Sequence, residues 1–362
     1  MKVAFIIRPN VHTIPGGDTV QMNQTAKELQ KLGVSVDIFT SDKKIDYSCF
    51  DLIHFFNITD CEDLLYHALH AKKPIALSSI YVDYREYDRH HRTGVINLLS
   101  KILPYHQIEY LKTLAKFVLK REKVSTPLYW IKGHNGSIRC ILEKTTLLLP
   151  NSQNEYSRLK NDFNVNLPYH VIPNGFDPAL FYENKNTQPR KGILCVGRIE
   201  GRKNQLNLIR AVNKTTYNLT LIGQIAPNQK GYYKQCLKEA GPNVKFIDYL
   251  PQHKLLHFYN QSKVHAMPSW FETTGLSNLE AAAMGCNLVI ANRGDVMDYF
   301  ENYAYYCAPD SVDSIKEAIE SAYAAEKNDS LKEHVLSNFI WEIAAAKTLK
   351  AYIEILKHYD TI

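Results

Sequence analysis

Between Ser269 and Gly285 the chain reads SWFETTGLSNLEAAAMG. The strand-like run Val264–Met267 ends at Pro268, and Glu272 falls in the loop behind it. A helix is expected to begin near Gly275–Ser277 and to carry Glu280 about one turn inside. A helix N-terminus offers unpaired backbone N–H groups and a partial positive charge, which suits an anion. The small residues Thr273, Thr274 and Gly275 would let a diphosphate approach the backbone. Taken alone, a plain helix start explains the same residues, with Glu272 in the favourable N-terminal field and Glu280 in solvent.

A second group, Val196-Gly197-Arg198-Ile199-Glu200-Gly201-Arg202-Lys203, directly follows the strand-like run Ile193–Val196. A guanidinium can grip phosphate oxygens with two N–H groups, and an ammonium adds a point charge. A solvated basic loop is the plain alternative. Gly192 and Gly197 imitate the glycine spacing of a phosphate-binding P-loop. Arg198 stands where that loop has lysine, however, and the intervening residues form a strand, so they cannot cradle phosphates.

These groups need a scaffold. With 362 residues the chain exceeds one comfortable core, and two domains are expected. Lys2–Ile7, Val34–Phe39, Asp51–Phe56, Pro74–Ser78, Thr146–Leu149 and Tyr169–Ile172 read as strands. Helical stretches at 19–32, which Gly33 should stop, and at 61–71 lie between the earlier ones. Residues 95–133 are long, apolar and basic, with little strand character. A second series runs Ile193–Val196, Leu219–Ile222, Val244–Ile247, Val264–Met267 and Asn287–Ala291, and Trp341–His358 has the pattern of an amphipathic helix. Strands alternating with helices imply parallel sheets. The fold class expected is therefore α/β, with two doubly wound Rossmann-like domains. Their boundaries are set at 1–172, 173–340 and a terminal helix at 341–362. Such sheets bind ligands outside the carboxyl ends of their strands, so both sets of loops could face one cleft.

In combination these residues resemble a known family. G-R-x4-K (Gly197, Arg198, Lys203) followed by E-x7-E (Glu272, Glu280) is similar to the paired signature of family 4 retaining glycosyltransferases of the GT-B fold. Pro15-Gly16-Gly17 resembles the family's Gly-rich first loop. Pro173-Asn174-Gly175-Phe176-Asp177 with Phe181 resembles its domain-crossing segment. Phe246–Ala266 resembles the region before its glutamate motif, and Trp341 to Tyr352 its terminal helix, which crosses back to the first domain. The resemblance implies that Arg198 and Lys203 bind the donor diphosphate and stabilise the departing charge. Backbone N–H groups of Gly275, Leu276, Ser277 and Asn278, beside Thr274, would assist. Glu280 would accept hydrogen bonds from ribose hydroxyls and Glu272 would contact the donor sugar. Gly17 and Gly197 would let backbone approach the donor, and Asp298 would sit in a loop facing the nucleotide.

One departure stands out. Many members place a histidine after the strand near residue 78, whereas this chain has Ser78-Ser79-Ile80-Tyr81-Val82-Asp83. No histidine role is carried over, and Tyr81 and Asp83 become candidates for acceptor contacts, with a structural role for the tyrosine equally open.

The expected partners are a nucleotide diphosphate-sugar donor and a glycan or lipid-linked acceptor, in cell-surface polysaccharide biosynthesis. No two aspartates are separated by a single residue, so the metal-binding D-x-D pattern of other transferases is missing. A metal-independent mechanism without cofactors is expected, because the cations and the helix end can do a divalent ion's work. Rival readings are a GT-B nucleotide-sugar epimerase or phosphorylase, and a non-catalytic nucleotide-sugar-binding protein. A dinucleotide-dependent dehydrogenase is disfavoured, since no two glycines are separated by one residue.

The seven cysteines show no C-x-x-C pair, which argues against a disulfide framework or zinc site. No secretory signal or membrane-spanning run is read, so a reduced, cytoplasmic protein is expected. Net charge is +6, and residues 101–144 alone hold 9 Lys/Arg against 3 Asp/Glu. That concentration suggests a local basic surface rather than a nucleic-acid binder. In Leu111–Lys123, Lys112, Lys116, Lys120, Arg121 and Lys123 alternate with apolar residues at helical spacing. Such a helix could lie on an anionic membrane, placing the protein at the inner face of the cell membrane; an ordinary surface helix packed on the sheet is the alternative.

Overall fold

In the computed structural model, which describes residues 1–90, 92, 95–120, 124–182 and 189–359, the chain divides into two compact units. The first comprises Met1–Asn174 and the chain from Trp341 on, and the second Gly175–Ile340.

The first unit runs β1 (Lys2–Ile7), α1 (Gly17–Lys31), β2 (Ser35–Thr40), β3 (Leu52–Phe56), α2 (Cys61–His70) and β4 (Ile75–Ser78). It continues through α3 (Arg85–His90), α4 (Val95–Ser100), α5 (Tyr105–Lys120), α6 (Leu128–Lys144), β5 (Leu147–Leu148) and α7 (Gln153–Phe163). Its five strands are ordered β2-β1-β3-β4-β5, and every pair is parallel. Central strands of such a sheet are covered on both faces, which explains the unbroken apolar runs of β1 and β3. Gly33 ends α1 as expected: its φ of +84° lets its own N–H reach Gln30 O and the Val34 N–H reach Leu29 O, closing the last turn.

One expectation for this unit needs correction. Tyr169–Ile172 is not a strand. It makes one bridge, Tyr169 to Leu148, and two further hydrogen bonds to Leu148 and Pro150, too short a ladder to count. The basic stretch 95–133, read as having little strand character, forms the helices α4, α5 and the beginning of α6. The last is interrupted at Gly133, whose φ of +67° is outside helical geometry.

The second unit runs β6 (Ile193–Val196), α8 (Gln205–Val212), β7 (Leu219–Ile222), α9 (Lys230–Glu239), β8 (Val244–Ile247), α10 (Gln252–Gln261) and β9 (Val264–Met267). Then follow α11 (Leu276–Ala283), β10 (Asn287–Ala291), α12 (Val296–Phe300), β11 (Tyr305–Cys307), α13 (Val312–Ala324) and α14 (Asp329–Asn338). Its parallel sheet is ordered β11-β10-β9-β6-β7-β8. Five of the six strands match the sequence reading. The edge strand β11, only three residues long, was not foreseen.

The final helix, α15 (Trp341–Tyr359), belongs to the first unit and packs against α1. Its Tyr352 hydroxyl lies 2.5 Å from His54 Nδ1, and His54 Nε2 lies 2.9 Å from Ser78 Oγ. Burial pushes His54 down to about 3, so the imidazole stays neutral and bridges the two hydroxyls as one donor and one acceptor.

Candidate functional site

The loops after β6 and β9 in the second unit are stitched together. After β6 the chain passes Arg198 and Glu200, makes a turn at Gly201–Lys203, and reaches Asn204 in the left-handed region (φ +60°) before α8 begins. Asn204 Nδ2 donates to Pro268 O (3.0 Å) and Pro309 O (2.7 Å), and Trp270 N donates to Arg202 O (2.9 Å). These bonds hold the Arg-Lys turn against the glutamate loop. The Lys203 ammonium consequently lies 2.5 Å from Glu272 Oε2, although the two residues are 69 positions apart. Ser269 Oγ donates to the same carboxylate oxygen at 3.3 Å.

Arg198 Nη2 stands 3.9 Å, and Arg202 Nη2 3.1 Å, from the buried Glu200 carboxylate. Burial works against the charge of Glu200, but Arg202, Arg198 and Lys203 together hold its carboxyl below the usual range. Glu200 is thus an anchor that keeps three cations at one spot, a role the sequence reading missed. The loop after β7 borders this turn: Ile199 N donates to Gln224 O and Ala226 N to Ile199 O. An open hollow of about 450 Å³, lined by Ile225–Asn228, Lys230 and Gly231, lies beside it.

The helix expected near Gly275–Ser277 starts at Leu276, with Gly275 in the left-handed region (φ +66°, ψ +75°). A Cβ at Gly275 would sit 2.3 Å from Asn278 Nδ2 and 3.1 Å from Glu272 Cγ. Glycine is therefore required both by backbone conformation and by space. Thr274 is buried and hydrogen-bonded to Tyr299 Oη (3.0 Å). Gly294 (φ +81°) plays a similar part from the next loop. A Cβ there would lie 2.1 Å from Glu272 O, and Asp295 N donates to that same carbonyl (2.8 Å). Neither contact was legible from spacing.

Two buried polar groups sit behind this helix start. Asn278 is fully buried and its amide interacts with the neighbouring His265, but the contact falls outside good hydrogen-bond geometry for either group. Glu280, expected near solvent on the plain reading, is buried. It accepts from Tyr259 Oη (2.9 Å) and Gln252 Nε2 (3.1 Å). Burial raises its carboxyl to about 7, against the lowering effect of those two hydrogen bonds.

A Cβ at Gly197 would press on Met267 Cε at 3.1 Å, a tight contact that a small shift of the methionine end relieves. Gly17 opens α1 in the first unit, and nothing in the chain lies within 4 Å of where its Cβ would be. The loop before it is braced by Arg8, whose Nε lies 2.6 Å from Asp18 Oδ2 and whose Nη2 donates to Ile14 O. Asp298 falls in the first turn of α12. Tyr81 and Asp83 do not stand free. Tyr81 is buried, with its hydroxyl donating to Asp162 (2.6 Å), and Arg85 pairs with both Asp83 (2.7 Å) and Asp162 (3.1 Å). The alternative of a structural role is the one this network favours for Tyr81.

Among the described residues, one group could place metal-ligand atoms together: Cys61, Glu62 and His134 of the first unit, within 4.8 Å of one another. Cysteine spacing alone could not reveal it. Burial pushes the Cys61 thiol well up and His134 down to about 3, which favours a neutral S–H···N contact (3.4 Å) over a thiolate ligand. It lies in the other unit from Arg198, Lys203 and Glu272.

Two Rossmann-like parallel-sheet units in this order define the GT-B class of fold. Solved structures agree in fold. Sucrose-phosphate synthase from Thermosynechococcus elongatus is 16% identical with a TM-score of 0.76, covering 99% of this chain and 100% of that one. Anabaena HepE, solved with UDP and glucose, is 15% identical with a TM-score of 0.65, covering all of both chains. Residues 178–335 match the family model described as Glycosyl transferases group 1, so that segment is similar to this family of transferases. Glycogen synthase of Mycobacterium tuberculosis is 29% identical over 199 residues, 51% of this chain and 48% of that protein. The matched stretch thus spans about half the length of that relative.

Proposed function

We propose that the protein is a retaining, metal-independent glycosyltransferase. It moves a sugar from a nucleotide diphosphate-sugar to a glycan or lipid-linked acceptor in cell-surface polysaccharide biosynthesis. The observation that carries this reading is the 2.5 Å contact between Lys203 and Glu272 beside the start of α11, which joins the two sequence motifs into one site. Cleavage of the sugar–phosphate bond leaves a nucleoside diphosphate with additional negative charge. Arg198, Lys203 and the N–H groups at Gly275–Asn278 are fixed donors for that charge, usually the largest catalytic contribution. In this reading Glu272 holds hydroxyls of the donor sugar while neutralising Lys203 before donor arrives. Glu280 accepts from the ribose hydroxyls. Gly17 lets its loop approach the donor phosphates and the acceptor, and the loop after β4 belongs to the acceptor side.

The test is a screen of purified protein against UDP-, GDP-, ADP- and dTDP-sugars by thermal shift and hydrolysis. NMR of the anomeric configuration follows for any acceptor that is glycosylated. Conversion of the nucleotide sugar itself without any acceptor would instead identify an epimerase, and use of inorganic phosphate a phosphorylase. Binding without turnover on any acceptor would leave a nucleotide-sugar-binding protein.

A further inference from the structure

Eight of the nineteen large apolar side chains that stand exposed among the described residues lie between Leu98 and Ile131, so exposure is concentrated rather than scattered. The first half of α5 is anchored: Ile108 and Thr113 are buried, and Tyr110 stacks on Tyr129. The second half is not. Every residue from Leu114 to Leu119 is exposed, so this half of the helix stands largely clear of its unit. Phe117 lies ring to ring with Trp130 (5.3 Å), which joins this end to the start of α6, where Ile131 is 82% exposed; Leu119 is 80% exposed.

Charge accompanies this apolar tip. Lys116 and Lys132 are exposed beside it, and Glu109, the one acidic residue described between 98 and 132, is already paired with Lys112 (2.7 Å). Arg121 and Lys123, read from the sequence as part of the basic helix, lie outside the described residues. A flat protein partner covers one side of a helix, whereas these apolar side chains spread over more than half of the circumference, with Lys116 on the remaining side. A fluid acyl phase can surround such a tip, and lysines at its base can reach lipid phosphates. Aromatic rings such as Phe117 and Trp130 suit the interface between the two.

We propose that the end of α5 and the start of α6 dock on an anionic lipid bilayer. Phe117, Val118, Leu119 and Ile131 enter the headgroup–acyl boundary, with Lys116 and Lys132 over lipid phosphates. This deepens the lipid-linked acceptor arm of the proposed function. It is measured without donor or acceptor, so its failure leaves the transferase reading standing.

The experiment is co-sedimentation of the full chain with vesicles of equal parts phosphatidylglycerol and phosphatidylcholine, and with phosphatidylcholine alone, at low and high salt. Binding is expected to the anionic vesicles and to weaken with salt. The variant Val118→Asp/Leu119→Asp/Ile131→Asp should bind roughly tenfold more weakly or worse. Lys116→Glu/Lys132→Glu should lose most of the salt-sensitive part. Circular dichroism and thermal shift with nucleotide sugar should match wild type, which separates lost docking from lost folding. Failure of the wild-type protein to bind anionic vesicles at low salt overturns the proposal, as does undiminished binding by the triple variant. A concentration-dependent dimer that the triple variant dissolves would assign the face to a second copy and overturn it equally.

Discussion

Replacing Glu280 by glutamine should make the protein more stable and bind its donor less well. Glu280 is buried, and burial raises its carboxyl from an ordinary value of 4.5 to about 7. A carboxyl raised on folding favours the folded state fully only below its unfolded value, and that advantage is lost as pH rises towards the folded value. At about 1.4 kcal/mol per pH unit, keeping the carboxylate buried above pH 7 therefore costs about 3 kcal/mol, shrinking to below about 1 kcal/mol near pH 5. Glutamine keeps a carbonyl oxygen for Tyr259 Oη or Gln252 Nε2 and carries no charge. Glu280→Gln should thus recover up to about 3 kcal/mol at pH 8, roughly 6–12 °C in Tm for a unit of this size, and little at pH 5. Urea unfolding or calorimetry at the two pH values reads this directly. Donor binding should move the other way. A carboxylate accepting ribose hydroxyls is a stronger acceptor than an amide, so wild-type affinity for a nucleotide sugar should fall as pH drops through about 7. The glutamine variant should bind weakly at every pH. Equal stability of the two proteins at pH 8 and pH 5 would refute the argument from burial, and unchanged donor affinity would refute the ribose assignment.

Arg198→Ala and Lys203→Ala should each lower turnover by roughly 10²–10³-fold, typical of losing one charge-stabilising donor. Near-wild-type transfer by the double variant, followed in a donor-consumption assay, would exclude the diphosphate clamp. Activity should persist in excess EDTA, and loss on chelation with rescue by magnesium or manganese would show that a metal takes part. Gly294→Ala should destabilise the second unit by about 1–3 kcal/mol and disturb turnover, because its Cβ would collide with Glu272 O; a melting curve like wild type would contradict that.

Strands β6 to β10 were legible because each is a short apolar run bounded by turn residues, and buried parallel strands carry that pattern locally. Edge strand β11 was not, since three residues of Tyr-Tyr-Cys carry no periodicity. Arg198, Lys203, Glu272 and Glu280 were legible through their order along the chain. Their relations were not: Glu200 gathers the cations, Tyr259 and Gln252 hold Glu280, and Gly294 presses on Glu272 from another loop. Each relation joins positions that only the sheet brings together. Tyr81 is the reverse case: its position after β4 left an acceptor contact and a structural role equally open, and its burial and bond to Asp162 favour the structural one.

The proposed site has a second support that is independent of motif order. Natural sequences tend to satisfy local rules everywhere except where function requires otherwise. Between residues 272 and 280 the violations accumulate. Gly275 is left-handed at a helix start, Asn278 buries an amide with only a poorly aligned contact to His265, and Glu280 buries a carboxyl that would be cheaper outside. A buried amide so poorly paired costs up to about 1–3 kcal/mol, and the Glu280 carboxylate a comparable amount above pH 7. Folding gains nothing from either. A bound ligand would supply what is missing, because ribose hydroxyls donate to a carboxylate and a phosphate oxygen accepts from an amide and from the helix N–H groups. The same groups that weaken the empty fold are the ones that a nucleotide sugar would satisfy. Stabilisation by donor should therefore exceed what its contact with Arg198 and Lys203 alone provides, and should shrink in Glu280→Gln and Asn278→Leu even with both cations intact. If donor raises the melting temperature of those two variants as much as that of the wild type, the buried polar groups serve only the fold and this argument fails.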